Sequence, residues 1–368
     1  MAINLFEARY IPTIFMRNSE LSAVRELPEF TKDALTPIFC LKPWATTKHL
    51  SKAVDKIEEV FGVGRKYFLD IDPFYGVQSS KRPAQDEFLE LIEGDDSAQN
   101  WIDFLRDRPN ACPCIQIRNE SVDDIILQID AFTGMERPFL VRLPHGGGTG
   151  KNWLGIVEAV CDTDHVNFGF VIDLEWSVDL LSRIEWADRI VKAIVRIRGD
   201  SVPICINGSS FPNSFTKFSS GEGVPVLERL AFENLISNNN QARILYGDWA
   251  SSRPPGESLP IKAEIPPRID LPTSKGWEFY RIKASEGGFK EAAIQAMASP
   301  SYPKDLDIWG TYLISSTAST AGGDDEDQAA IIKHRGKAAA ARINIHLYRQ
   351  QYFENFNPVP DTDDDYPE

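Results

Sequence analysis

Basic residues are the scarcer charge in this sequence: 39 Lys and Arg stand against 54 Asp and Glu, a formal charge of −15 at pH 7. Nine of the acids fall in two runs, at 324–327 and 361–368, and the rest of the chain carries −6 of the −15. That balance excludes capture of nucleic acid or of an anionic membrane by bulk electrostatics; a local basic groove would be needed. No apolar run approaches the roughly 20 residues of a membrane span. The opening stretch, MAINLFEARYIPTIF, lacks the basic, apolar and small-residue order of a secretory signal. A soluble, cytoplasmic protein is expected. Cysteine is sparse and odd in number: Cys40, Cys112, Cys114, Cys161 and Cys205. Three lie in apolar, strand-like runs, so reduced core thiols are expected. Cys112 and Cys114 have no second Cys or His cluster at metal spacing. The five histidines form no H-E-x-x-H or H-x-H pattern, and no G-x-S-x-G occurs, so zinc-peptidase and serine-hydrolase readings lack their motifs.

What is present is a cadence. Eight short apolar, β-rich runs follow one another: 10–17 (YIPTIFMR), 36–42 (TPIFCLK), 67–72 (YFLDID), 113–118 (PCIQIR), 138–142 (PFLVR), 168–175 (FGFVIDLE), 202–207 (VPICIN) and 243–248 (RILYGD). Near-continuous apolar strands are what a parallel sheet needs, because both of its faces are covered. Between them lie segments of helical period. The clearest is 46–61, where Leu50, Val54, Ile57 and Phe61 share one face and Thr46 or Thr47 can cap the start. The connection at 20–34 is interrupted by Pro28. Repeated βα units predict an α/β fold: a (β/α)8 TIM-like barrel with a C-terminal insertion or extension. An open doubly wound sheet would carry glycines after strand 1, where Arg17-Asn18-Ser19-Glu20 stands. Expected boundaries are a barrel core at 1–248, an insertion or lid at 249–324, a long helix at 325–353 closing the barrel, and an acidic tail at 354–368. Two further strands are predicted at 277–283 and 308–314, with a helix near 290–298.

Residues two apart on a strand share a face, and barrel enzymes place their chemistry at strand C-termini. Aligning the last polar residue of each run gives a mouth of Arg17, Lys42, Asp72, Arg118, Arg142, Glu175, Asn207 and Asp248, with Asp70, Gln116 and Asp173 one layer deeper. The pairs Asp70/Asp72 and Asp173/Glu175 suit acid–base work if repulsion raises one pKa, or a hard divalent cation such as magnesium. They equally suit a salt-bridge ring with Lys42, Arg118 and Arg142. Lys42 is a candidate base or Schiff-base nucleophile, with an ion-paired lysine as the plainer reading. Arg17, Arg118 and Arg142 are expected to converge on a carboxylate or phosphate, so a small anionic ligand is the natural guess. The stretch HGGGTGK at 145–151 departs from the P-loop pattern, since His145 stands at its first glycine and Asn152 follows the lysine. It is read as a mouth loop. Asn207-Gly208-Ser209-Ser210 and Gly247 lie where barrels often bind phosphate. Trp44, Trp176 and Trp249 follow strand ends and can wall a pocket or simply pack.

The stretches YIPT (10–13), RNSE (17–20), the helix-like 23–27, LTPI (35–38) and LDID (69–72) resemble the opening of the Beta protein family of phages and bacterial genomes. The resemblance runs through the barrel and fades in the C-terminal third. Family members commonly carry an acid in strand 2, where Cys40 and Lys42 stand here. The resemblance implies association with phage or mobile elements and a part in antiviral defence; it carries no reaction, cofactor or catalytic residue. The first expectation is therefore a barrel that binds or processes a small anionic, phosphorylated or carboxylate, ligand. The second is a non-catalytic scaffold with a protein partner in a phage-defence complex. Nucleic-acid processing ranks last.

Overall fold

Every one of the eight apolar runs forms a strand in the computed structural model, which describes residues 3–76, 82–93, 97–117, 121–146, 153–255, 265–273, 276–320 and 330–353. The strands are β1 (Tyr10–Phe15), β2 (Ile38–Leu41), β3 (Tyr67–Ile71), β4 (Ala111–Ile115), β5 (Phe139–Pro144), β6 (Phe168–Trp176), β7 (Ile204–Ser209), β8 (Glu222–Pro225), β9 (Ile244–Asp248), β10 (Arg268–Pro272) and β11 (Gly276–Arg281). The first seven and β9 close into a barrel of eight strands in sequence order. Every neighbouring pair is parallel, including the closure of β1 on β9 through Tyr10↔Tyr246 and Pro12↔Asp248. The fold is the expected (β/α)8-like barrel.

Nine helices accompany the barrel among the described residues: α1 (Asn18–Arg25), α2 (Glu29–Ala34), α3 (Ser51–Phe61), α4 (Pro83–Glu93), α5 (Ser97–Arg106), α6 (Val122–Gly134), α7 (Trp153–Cys161), α8 (Ile184–Arg198) and α9 (Leu227–Asn238). Pro28 splits the first connection into α1 and α2, and itself caps α2. On α3 the predicted face is buried. The helix starts at Ser51 rather than Thr46, because Thr46 sits at φ +68° and the Leu50 N–H is bound by the Glu87 carboxylate of α4 at 2.7 Å.

Alternation sorts the barrel interior into layers. Ile11, Ile38, Phe68, Cys112, Cys114, Leu140, Val171, Cys205 and Leu245 form one buried apolar cluster, plugged by Leu5 and Ala8. Two residues further along the strands come Thr13, Cys40, Asp70, Gln116, Arg142, Asp173 and Asn207, by the two-residue period. Above them Phe15 and Trp249 cluster with the Cys40 thiol, and Phe74 and Trp176 pack against this group. All five cysteines are free and buried. Burial pushes the thiols of Cys40, Cys114 and Cys205 far above their ordinary range, which leaves them protonated and unreactive.

The chain divides into two units, residues 1–217 with 226–264, and 218–225 with 265–368. The second is built on an antiparallel sheet of order β10-β11-β8. On it lie α10 (Gly288–Ala298) and α12 (Arg335–Gln351), and α11 (Trp309–Ser319) packs against both helices. Its core includes Ile269, Leu271, Ala296, Leu313, Ile314, Ala341 and Ile345. Within it Arg342 donates to Asp270 at 2.7 Å, and Arg268 Nη2 does so at 2.9 Å. Burial pushes the Asp270 carboxyl up, and the two guanidiniums outweigh it and hold the group below its usual range.

Three expectations change here. The run at 308–314 is helical, because Gly310, Thr311, Leu313, Ile314 and Thr317 are buried at helical spacing. The long C-terminal helix begins at Arg335, with His334 Nδ1 accepting the Lys337 N–H at 3.2 Å. It packs on β10 and α11 inside the second unit, where sequence pattern alone places it against the barrel. Strand β8, EGVP, carries no apolar signal and was not predicted; it pairs with β11 through Val224↔Trp277 and Glu222↔Phe279. The tail at 354–368 lies outside the described residues. No helix among the described residues is long and apolar enough to cross a membrane.

Candidate functional site

The polar layer of the lumen is organised by one guanidinium. Arg142, on β5, donates from Nε and Nη2 to Asp173 Oδ2 at 2.8 and 2.5 Å, and from Nη1 to Asp70 Oδ2 at 2.9 Å. Arg142, Asp70 and Asp173 are 7%, 8% and 0% exposed. Burial opposes the Arg142 charge, and Asp173 and Asp70 overcome it, so the guanidinium stays charged. Gln116 Nε2 donates to Asp70 Oδ1 at 3.0 Å. Its backbone is clamped by Gln128 of α6, which accepts the Gln116 N–H and donates to its carbonyl, both at 2.9 Å. The free oxygen of Asp173 accepts the Trp249 indole N–H at 3.2 Å and the Glu175 N–H at 2.9 Å. Of the alternatives for the carboxylate pairs, the salt-bridge ring is the one formed for Asp70 and Asp173.

A roof of three rings covers this layer. Phe15, Phe74 and Trp249 have centroids 5.4–5.8 Å apart in every pairing. Trp176 packs beside them and donates its indole N–H to the Phe211 carbonyl at 2.8 Å. The Trp44 carbonyl accepts from Arg82 at 3.1 Å.

The remaining candidates divide. Lys42 Nζ lies 3.6 Å from Asp72, with a side chain 19% exposed. Asp72 also accepts the Phe74 N–H at 2.9 Å, which ties the roof to β3. Asn207 faces the lumen and donates to Thr13 Oγ1 at 2.6 Å, and its buried Oδ1 has no hydrogen-bond partner among the described residues. Arg17 stands over the Phe15 ring at 4.9 Å, donates to the Arg253 carbonyl at 3.0 Å and pairs with Glu20 at 3.3 Å. Arg118 lies outside the described residues. Among the described residues Arg17 and Arg142 therefore share no partner: one serves the loop after β9, the other the lumen. Glu175, within a bulge in β6, accepts the Gly146 N–H at 2.8 Å.

Asp248 is a correction. Its carboxylate accepts the Tyr10 and Tyr246 hydroxyls at 2.5 and 3.0 Å and the Ala250 N–H at 2.7 Å. Tyr246 packs on Phe232 and under Arg229 of α9, so this cluster lies on the outer face of the barrel wall. The cause is parity: Leu245 belongs to the interior cluster, so Gly247 faces inward and Asp248 outward. The same region holds a buried carboxyl that motif reasoning missed. Glu228, at the start of α9, accepts the Ser210 O–H at 2.5 Å and N–H at 3.0 Å, and burial pushes its pKa up to about 8. Among the described residues no group of three or more His, Cys, Asp or Glu side chains could hold a metal ion.

A family model described as Beta protein matches residues 10–351, from the first residue of β1 to the last of α12. The chain is also 26% identical over 354 residues to Protein beta of Enterobacteria phage P4, covering 93% of this chain and 92% of that one. The similarity thus continues past the barrel, where the short opening motifs end, and takes in the second unit. The chain is a member of the phage-associated Beta protein family.

Proposed function

We propose that the C-terminal mouth of the barrel binds a small anionic ligand, with Arg17 and Lys42 as its cations and the aromatic roof over the Asp70–Arg142–Asp173 triad as its floor. One observation carries the reading. The Arg17 Nη2 arm is buried and has no hydrogen-bond partner among the described residues, at the edge of the mouth. A buried guanidinium arm left open is costly unless an acceptor joins it. The triad supports the same view. Apolar residues of similar volume would fill the lumen at least as stably as a buried ion network, and the layer beneath is filled in that way. Asn207 Oδ1 is an acceptor left over in the buried polar layer. Asp72 and Glu175, with Lys42, are the groups left for acid–base chemistry, since Asp70 and Asp173 are held by Arg142. A divalent cation such as magnesium is a candidate companion of the ligand.

The test is native mass spectrometry of the protein purified from its own host, with and without magnesium. A retained small anion that is lost in Arg17→Ala and Lys42→Ala supports the reading. A preparation free of small molecules that retains a protein subunit favours the second reading, a non-catalytic component of a cytoplasmic phage-defence complex. The phage relative and the closed aromatic roof over Arg142 favour that alternative.

A further inference from the structure

The C-terminal end of β6 is built to deliver one side chain to an unusual place. Asp173 pairs with Asn207, and the next pairing is Trp176 with Ser209, so β6 carries one extra residue. Bulges of this kind re-aim side chains beside functional sites. Glu175 lies in the bulge at φ +54°, a left-handed conformation that favours glycine. Its Oε2 accepts the Gly146 N–H at 2.8 Å and lies 3.7 Å from Arg183 Nη1. Arg183 is itself anchored on the Leu174 carbonyl. The His145 N–H donates to the Asp173 carbonyl at 2.9 Å, which fixes the start of the loop after β5. A Cβ on Gly146 would stand 2.9 Å from Glu175 Oε2, so glycine is what lets the carboxylate reach this amide.

A backbone N–H and a guanidinium converging on one oxygen is how proteins hold an oxyanion. Here the oxyanion belongs to the chain. We infer that Glu175 is an internal stand-in for the anionic group of the mouth ligand, and that a phosphate or carboxylate displaces it from the Gly146 N–H and Arg183. The inference rests on the reading of the mouth as an anion site, and adds where the anion docks and what occupies that place without it. Burial, and then Asp173, raise the Glu175 pKa, so the stand-in holds its position less firmly than an ordinary carboxylate would.

The probe is inorganic phosphate, titrated calorimetrically against the full chain. Glu175→Gly removes the stand-in and suits the left-handed backbone; it is expected to bind phosphate about tenfold more tightly than the wild type. Adding Arg183→Met should remove that gain. Glu175→Gln, which keeps the side chain but loses its charge, should give a smaller gain. A natively melting Glu175→Gly protein within twofold of wild-type affinity overturns the inference, as does a gain that survives Arg183→Met. If Glu175→Gly does not fold, the same twofold limit applied to Glu175→Gln decides. Arg17→Ala and Lys42→Ala separate the two readings. A gain at Glu175 that neither variant affects leaves this site standing without the wider mouth. Phosphate binding that both variants weaken, with no gain at Glu175, removes this inference alone.

Discussion

Replacing Arg142 by methionine should be among the most damaging single changes in the barrel. The guanidinium makes three hydrogen bonds to two carboxylates, one of them wholly buried. Methionine keeps much of the volume and leaves two negative charges facing each other in the lumen without a counter-ion. Breaking a buried pair in this way costs about 3–5 kcal/mol. For a unit of this size that corresponds to a fall in melting temperature of roughly 6–20 °C. The decisive comparison is Arg142→Met combined with Asp70→Asn and Asp173→Asn. That variant has no unpaired charge, and its amides can still accept from Gln116, Trp249 and the Glu175 N–H. It should recover to within about 1 kcal/mol of the wild type. The assay is urea unfolding followed by near-ultraviolet circular dichroism, with the slope checked for constancy. An Arg142→Met protein that loses less than about 1 kcal/mol would refute the reasoning. So would a triple variant no more stable than the single one, since the cost would then be packing rather than stranded charge.

Two further outcomes are expected. A Cβ on Gly247 would lie 2.5 Å from Cys205 Sγ and 2.7 Å from the Ile11 carbonyl, so Gly247→Ala should cost about 1–3 kcal/mol; Cys205→Ala should recover part of that loss in a double-mutant cycle read by thermal melting. Glu228 has its folded pKa raised to about 8 by burial. Its contribution to stability is complete below the unfolded carboxyl pKa and is lost as pH rises through 8. Glu228→Gln, which keeps an acceptor for Ser210, should therefore gain on the wild type from pH 5 to 8 and hold a constant advantage above. A parallel pH dependence in both proteins would count against a titrating Glu228.

The barrel was legible because a parallel strand buried on both faces writes itself as a continuous apolar run, and eight such runs left little freedom of topology. The lumen was legible from parity: Asp70, Gln116, Arg142 and Asp173 share the inward phase, and the structure brings them together. Asp248 misled because the run RILYGD was aligned on its last charged residue, whereas the inward phase set by Leu245 passes through Gly247. Arg17 follows β1 after its last strand residue, so alternation has no hold on it. The clamp of Gln128 on Gln116, the indole bond from Trp249 to Asp173 and the Glu228–Ser210 pair join strand-end residues to partners that alternation along a strand does not select. They become visible when helices and loops are in place. IWGTYLI reads as a strand because its residue types favour one, but burial at helical spacing overrides local preference.

Strand β8 is drawn from the stretch between β7 and α9, about fifty residues ahead of its partner β11 in the chain. The second unit is thus an interleaved possession and not an appendage. Cutting after residue 264 would delete most of that unit, yet leave its edge strand stranded in the remaining chain with an open ladder. A single recombination event cannot trade this unit for another, nor lose it cleanly. During synthesis, residues 218–225 must wait as an unpaired segment until β11 has been made. The family match, spanning residues 10–351, takes in both units together.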